Sequence, residues 1–345
     1  MSQILTFTPT DRILIVAPHP DDESIATGGL IQAARAGGAA VRVIVLTDGD
    51  ANVWPQRWIE KRWRIDAAAR ARWGARRREE AREAMRVLGL PEGDAIFLGL
   101  PDLGLTDRLM RADAAVTARL QAVIAEFAPS CIVLPALADR HPDHSAAGIL
   151  VRLALPGAGV GFPRLLEFAV HGGATDADAS CELNDRQQQC KRAAILAHAT
   201  QMRLSRKRFM RYAGAVEVFR MATADARANP LVPLRAHADE NGLLRVELDS
   251  GQLQRGLALF VVLEGNAHAC RLRVPWRSGS NELAVLGNNG GKAGVIAGVE
   301  RAGRSIALML QTGCADWRLG YVKMARAQPG IWVFDRFGWQ VIMRS

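Results

Sequence analysis

Along the first two thirds of the chain, short apolar runs alternate with segments of helical spacing. Residues 12–18 (RILIVAP) are almost wholly apolar, rich in β-branched side chains and closed by Pro18, which predicts a buried strand. Residues 24–37 set Ile25, Leu30, Ile31 and Ala34 at near-helical spacing before a Gly-Gly stop, which predicts a helix. By the same reasoning VRVIVLTDG (41–49), AIFLGLP (95–101), CIVLP (131–135) and LLEFAVHG (165–172) are strands. Residues 76–88 (closed by Gly89), 113–127 (closed by Pro129) and 185–198 are helices. Strand and helix in alternation imply an α/β fold with a mostly parallel sheet covered by helices on both faces.

The texture changes after Arg220. Residues 223–233 are polar and contain Pro230 and Pro233, the composition of a linker. Beyond them come short alternating or apolar runs, among them LLRVELDS, LALFVVLEG, CRLRVPW and RSIALMLQT, punctuated by Gly, Asn and Ser. That pattern predicts a smaller, β-rich, sandwich-like domain. The expected organisation is therefore an α/β domain over 1–222, a linker over 223–233 and a β-rich domain over 234–345.

A chain of 345 residues is long for one domain, so composition agrees with the two-part reading. Hydrophobic residues make up 49% and charged residues 23%, as in a globular protein with a sizeable core. The formal net charge of +9 suits an anionic partner. However, Lys stands only at positions 61, 191, 207, 292 and 323, and so strong an Arg excess also follows from genome base composition. The five cysteines form no C-x-x-C pair, which argues against a disulfide framework and a structural zinc knuckle. The N-terminus lacks the basic and apolar regions of a signal peptide. The longest apolar runs, such as 257–263, fall short of the roughly 20 residues that span a bilayer. A cytoplasmic protein without a transmembrane segment is expected.

Two segments carry candidate chemistry. His19-Pro20-Asp21-Asp22-Glu23 follows the first strand directly, and His141-Pro142-Asp143-His144 follows the fourth by a few residues. In an open α/β sheet, ligands bind beyond the carboxyl ends of the strands, and both segments fall at that edge. Imidazole and carboxylate together suit zinc, which takes three protein ligands at catalytic sites and leaves a position for water. His19 and Asp22 are three apart on a turn, and His144 supplies a third contact. Water on such an ion has its pKa lowered towards about 7. Asp21 is placed to take its proton, and His141 is the candidate to face a developing oxyanion. Either segment alone is more often a pair of solvated surface residues; the two together, each after a strand and each with an adjacent Asp, favour a metal site.

The first segment, within APHPDDESIATGG (17–29), resembles the signature of the LmbE-like, or PIG-L, N-acetylglucosaminyl deacetylases, and HPDHSAAG (141–148) resembles their second signature. LTDGD (46–50), Arg77-x-x-Glu80, FLGLPD (97–102) and HATQ (198–201) follow in the family's order. The resemblance covers roughly residues 10–220 and does not extend to the last third. It implies a Rossmann-like domain that hydrolyses the N-acetyl group of an N-acetylated sugar conjugate, giving free amine and acetate. It implies His19, Asp22 and His144 as ligands to Zn2+, with Fe2+ or another divalent ion also accepted by such donors. It implies Asp21 as general base, His141 as stabiliser of the tetrahedral intermediate, Asp143 as the partner of that histidine, and Arg77 and Asp102 as sugar contacts.

Between the second strand and the Arg77 helix, Trp54, Trp58, Trp63 and Trp73 are interleaved with Arg57, Lys61, Arg62, Arg64, Arg70 and Arg72. Three readings fit: a lid that stacks sugar and pairs phosphate, an interfacial segment for a lipid-linked substrate, and a helical excursion with packed Trp and solvated Arg. His171 and His198 read as structural histidines. Rival readings for the whole chain are a metal-dependent hydrolase of another amide or ester, and a glycan-binding protein with a vestigial metal site. No nucleic-acid motif accompanies the basic charge, so no nucleic-acid partner is expected.

Overall fold

Near-continuous apolar strands are stable only where both sheet faces are covered, and the first half of the chain is built that way. The computed structural model describes residues 2–172, 177–222, 234–239, 241–265, 269–288, 290–312, 314, 316–327 and 333–344. The expected linker, 223–233, lies outside the described residues. In chain order the elements are β1 (Gln3–Ile4), β2 (Arg12–Ala17), α1 (Asp22–Ala36), β3 (Ala40–Thr47), α2 (Val53–Glu60), α3 (Ala67–Val87), β4 (Ala95–Leu100), α4 (Leu105–Met110), α5 (Ala114–Phe127) and β5 (Cys131–Pro135). They continue with α6 (Pro142–Ala154), β6 (Arg164–Phe168), β7 (Ala179–Glu182), α7 (Asp185–Ala197), α8 (Ala199–Phe209) and β8 (Val216–Ala222).

The chain divides into two compact units, one of Met1–Leu105, Ala118–Ala136 and Ala154–Thr223, the other of Thr106–Thr117, Leu137–Leu153 and Ala224–Ser345. The first unit holds an eight-stranded sheet of order β1-β7-β8-β6-β5-β2-β3-β4. β6, β5, β2, β3 and β4 run parallel, while β8 lies antiparallel to both β6 and β7. The sheet is thus mostly parallel and is accompanied by helices. β8 alternates exposed and buried residues at its start, the period-two pattern of a strand with one solvated face.

Two helices differ instructively from the sequence expectation. α3 starts nine residues before Arg76, because the Asp66 side chain accepts from the Ala69 N–H at 2.7 Å and caps an Ala-rich first turn. α1 carries Gly28 and Gly29 in its middle. A Cβ on Gly29 would lie 2.5 Å from Leu183 Cδ1, so glycine permits that close approach. Beside it the buried Glu217 carboxylate accepts from Gly29 N and Leu30 N at 2.6 and 2.8 Å. It also pairs with the buried Lys191 ammonium at 2.7 Å.

The second unit holds a ten-stranded sheet. Its strands are β9 (Leu234–Ala238), β10 (Leu243–Asp249), β11 (Leu257–Gly265), β12 (Ala269–Pro275), β13 (Glu282–Leu286), β14 (Lys292–Ala302), β15 (Ser305–Gln311), β16 (Trp317–Arg326), β17 (Gln340–Val341) and β18 (Met343–Arg344). The order is β17-β16-β11-β12-β13-β14-β15-β10-β9-β18. All its pairings are antiparallel except β18 with β9. β10 alternates strictly, with Leu244, Val246 and Leu248 buried. The central β11 is buried over Ala258–Leu263. Trp317 and Trp339 are buried, and Trp332 lies outside the described residues. Arg271, also buried, spends its guanidinium on the Leu263 and Leu109 carbonyls at 2.6 and 3.2 Å and on Glu264. Among the described residues no helix is long and apolar enough to cross a membrane.

Breaking a buried ion pair leaves one charge uncompensated. Lys191→Met should therefore lower the unfolding free energy by about 3 kcal/mol, measured by urea denaturation at neutral pH. A loss within about 1 kcal/mol would show that the two α1 amides alone satisfy Glu217.

Candidate functional site

β2 is the point at which the first sheet reverses its growth: β3 and β4 lie on one side of it, β5 and β6 on the other. A crevice forms beyond the carboxyl ends of the strands at such a switch point. The segment leaving β2 there is Pro18 to Asp21, and the segment leaving β5 leads to His141. Helix α1 begins at Asp22 immediately after the turn, with Asp22 N–H donating to the His19 carbonyl at 3.2 Å.

Asp21 holds φ at 129°, a conformation costly for a residue with a Cβ and sustained only where surroundings over-determine it. Arg77 and Glu23 do so. The buried Arg77 guanidinium donates to the Pro20 carbonyl at 2.5 Å and to Asp21 Oδ2 at 2.9 Å. It also donates to the Gly49 carbonyl at 2.5 Å, and a Cβ at Gly49 would collide with it. The Asp21 N–H donates to Glu23 Oε2 at 2.9 Å. Burial pushes the Asp21 carboxyl up to about 6, with the neighbouring Asp22 charge adding to the rise and the Arg77 charge opposing it.

His19 is aimed by its own turn. Its N–H donates to Asp22 Oδ2 at 2.9 Å, and Nδ1 lies 3.2 Å from the same oxygen. Its Nε2 lies 3.2 Å from Asp102 Oδ1, and Asp102 also accepts from the Ala51 N–H at 2.8 Å. Desolvation would raise the Asp102 carboxyl, but His19, the Ala51 amide and Arg77 outweigh it and hold the group down at about 2.

The second segment is organised by Asp139, which is fully buried. One oxygen accepts from the His141 N–H at 2.9 Å and the other lies 3.1 Å from His144 Nδ1. A carboxylate on Nδ1 fixes the tautomer in which Nε2 is the lone-pair donor, the usual arrangement of a metal-binding histidine. His141 is set the other way round. Its Nδ1 accepts from the Asp143 N–H at 3.2 Å, which leaves Nε2 as the proton-bearing nitrogen. The two imidazoles stand with ring centroids 4.9 Å apart.

In the first unit His19 stands with Asp22 and Asp102, and in the second His141 and His144 stand together beside Asp139. The donor types, imidazole nitrogen and carboxylate oxygen, fit a divalent ion. Asp22 Oδ2 lies against His19 Nδ1 on the same turn. Arg77 is buried, with its terminal nitrogens bonded to Gly49, Pro20 and Asp21.

Sequence reasoning missed Asp139, whose only signal is a carboxylate two residues before His141. It also assigned no role to Glu23. The buried His198 places Nε2 3.0 Å from Glu23 Oε1. Desolvation would lower the His198 pKa, but the Glu23 charge and hydrogen bond outweigh it and raise it.

Residues 14–155 match the family described as PIG-L: GlcNAc-PI de-N-acetylase. Over 150 residues the chain is 37% identical to the 1D-myo-inositol 2-acetamido-2-deoxy-alpha-D-glucopyranoside deacetylase of Mycobacterium avium, covering 39% of this chain and 48% of that protein. Over 157 residues it is 26% identical to the diacetylchitobiose deacetylase of Thermococcus kodakarensis, covering 45% and 52%. The chain thus spans about half the length of the curated relatives it matches. Among solved structures, N,N'-diacetylchitobiose deacetylase from Pyrococcus horikoshii is similar at 20% identity and a TM-score of 0.49, covering 61% of this chain and 83% of that one.

Arg77→Met should leave the Asp21 charge buried without its cation, costing about 3–5 kcal/mol at neutral pH. Asp21 titrates higher folded than unfolded, so the folded state binds its proton more readily. Stability therefore rises as pH falls towards the unfolded value, and the penalty of the variant should shrink between neutral pH and about pH 5. Denaturation at the two pH values checks this; a pH-independent penalty would exclude the uncompensated charge as its cause.

Proposed function

We propose, from a chain that carries a PIG-L (LmbE-like) family domain over residues 14–155, that the protein is a metal-dependent carbohydrate N-deacetylase acting in the cytoplasm. Its substrate class is an N-acetylglucosaminyl conjugate, the class named for its relatives, and its products are the free amine and acetate. The observation that carries the reading is the loop after β2, where His19 meets Asp22 and Asp102 and the buried Asp21 carboxylate is held by Arg77.

In this reading His19, Asp22 and His144 would hold a divalent ion, Zn2+ or Fe2+. When bound, the ion supplies Lewis acidity, polarising the acyl oxygen and acidifying water. Asp139 keeps His144 Nδ1 protonated and its Nε2 available as a donor of electrons. Asp21 takes the proton of the attacking water at its carboxylate, and burial that raises its pKa to about 6 makes it a better base at neutral pH. His141 presents Nε2–H to the developing oxyanion and the departing nitrogen, while the Asp143 amide holds its Nδ1 as acceptor. Arg77 serves through Asp21, and Asp102 through His19. Direct contact of Arg77 or Asp102 with the sugar rests on the family resemblance alone.

Incubation of the metal-loaded protein with a panel of N-acetylglucosaminides should release amine and acetate in equal amounts. Asp21→Asn should bind the ion as the wild type does yet lose about 10²–10⁴-fold in kcat; wild-type turnover by that variant would remove Asp21 as the base. Asp139→Ala should weaken zinc binding about 10–100-fold in a chelator competition. An unchanged affinity would mean that His144 is oriented by other groups or is not a ligand.

A further inference from the structure

Three of the four tryptophans in the Trp- and Arg-rich stretch are not packed away. Trp73 is buried, but Trp54, Trp58 and Trp63 are 61, 63 and 77% exposed. The segment bearing them is nevertheless tied down. Pro55 and Gln56 of α2 are buried, Gln56 Nε2 donates to the Ala69 carbonyl at 2.7 Å, and Lys61 closes the helix in the left-handed conformation. Arg57 lies between the Trp54 and Trp63 rings, 5.0 and 5.2 Å from their centroids. The indoles are therefore presented outward by a fixed scaffold.

α2 packs against α8. The inner side of α8 buries Thr200, Gln201 and Phe209, and its outer side exposes Arg203, Arg206, Lys207 and Arg208 with Leu204 half exposed. No acidic residue occurs from Ala199 to Tyr212. In the α2 segment, Glu60 pairs with Arg72 at 3.6 Å and Asp66 caps α3, which leaves Lys61, Arg62, Arg64 and Arg70 exposed.

We propose that the α2–α8 face docks on the surface of an anionic lipid bilayer. Indole rings settle at the headgroup level of a membrane because one end is apolar and the other polar. Clustered Lys and Arg are drawn to the negative surface potential, and interfacial helices combine the two. A nucleic acid would use the same cations, but it offers nothing to the exposed Leu204 and would draw Arg57 towards phosphate rather than between two rings. The docking face adjoins the candidate site in sequence: Ala51, two residues before α2, donates to Asp102, which faces His19. The proposal is independent of the deacetylase reading, since vesicle binding is measured without turnover.

The test is co-sedimentation of the full chain with vesicles of phosphatidylcholine alone and of an equal mixture with phosphatidylglycerol. Partition should be about tenfold higher on the mixed vesicles and fall with added salt. Tryptophan emission should be quenched by phosphatidylcholine brominated on its acyl chains, a readout that needs no variant. Trp54→Ala/Trp58→Ala/Trp63→Ala should cut partition about tenfold, and Arg203→Glu/Arg206→Glu/Lys207→Glu should erase the preference for anionic vesicles. The proposal is overturned by absent or lipid-independent pelleting, by emission indifferent to brominated lipid, or by variants that bind vesicles as the wild type does. Retention of a single-stranded oligonucleotide, or Trp-dependent self-association in sedimentation velocity, would overturn it equally if vesicle binding were missing.

Discussion

A carboxylate removed from water must be compensated or neutralised, and the candidate site is arranged around that demand at Asp21. Its charge is met by Arg77, reaching from α3. Its backbone is held by Glu23 through the amide and by Arg77 through the preceding carbonyl. The same contacts sustain a φ that the residue would not adopt alone. Everything near the loop after β2 is oriented by this requirement: α1 begins one residue later, His19 precedes it by two, and α3 is drawn in close enough for Gly49 to be necessary against the guanidinium.

Several of the sequence motifs are partners of one another within the first unit. Arg77 meets the loop of the first signature. Glu80 accepts from Thr200 N and Oγ1 at 3.1 and 2.6 Å, joining α3 to the start of α8. His198 meets Glu23, and Thr47 of LTDGD donates from its hydroxyl to the Pro18 carbonyl at 2.9 Å. These bonds connect segments far apart in the chain, and each involves a buried or half-buried polar group that would be costly if unpaired. The motif spacing therefore reports a hydrogen-bond network as much as a set of reactive groups. The Lys191–Glu217 pair extends the network to the middle of α1, where the glycines leave room for it.

The second unit handles buried charge differently. Arg271 is neutralised by Glu264 and otherwise spends its donors on carbonyls. Lys323 pairs with Asp335 and lies 5.6 Å from the Trp339 ring centroid. Here cations are absorbed into an antiparallel, Leu- and Val-rich core by aromatic and backbone partners.

The sequence by itself determined the kind and order of elements in the first unit, because runs buried on both faces and helices with an apolar stripe leave local periodicities in composition. It also determined that two His- and Asp-bearing turns follow strands, since the motifs abut the runs directly. Tertiary structure alone decided that β5 rather than β4 lies beside β2, and that Val216–Ala222 returns antiparallel. It decided that Arg77 spends its charge on Asp21, that Asp139 orients His144, and that Trp73 enters the core while Trp54, Trp58 and Trp63 stay outside. The physical reason is the same in each case. Local pattern records whether a residue is to be buried, whereas the partner that meets it comes from a segment tens to hundreds of residues away, and that choice depends on the whole fold.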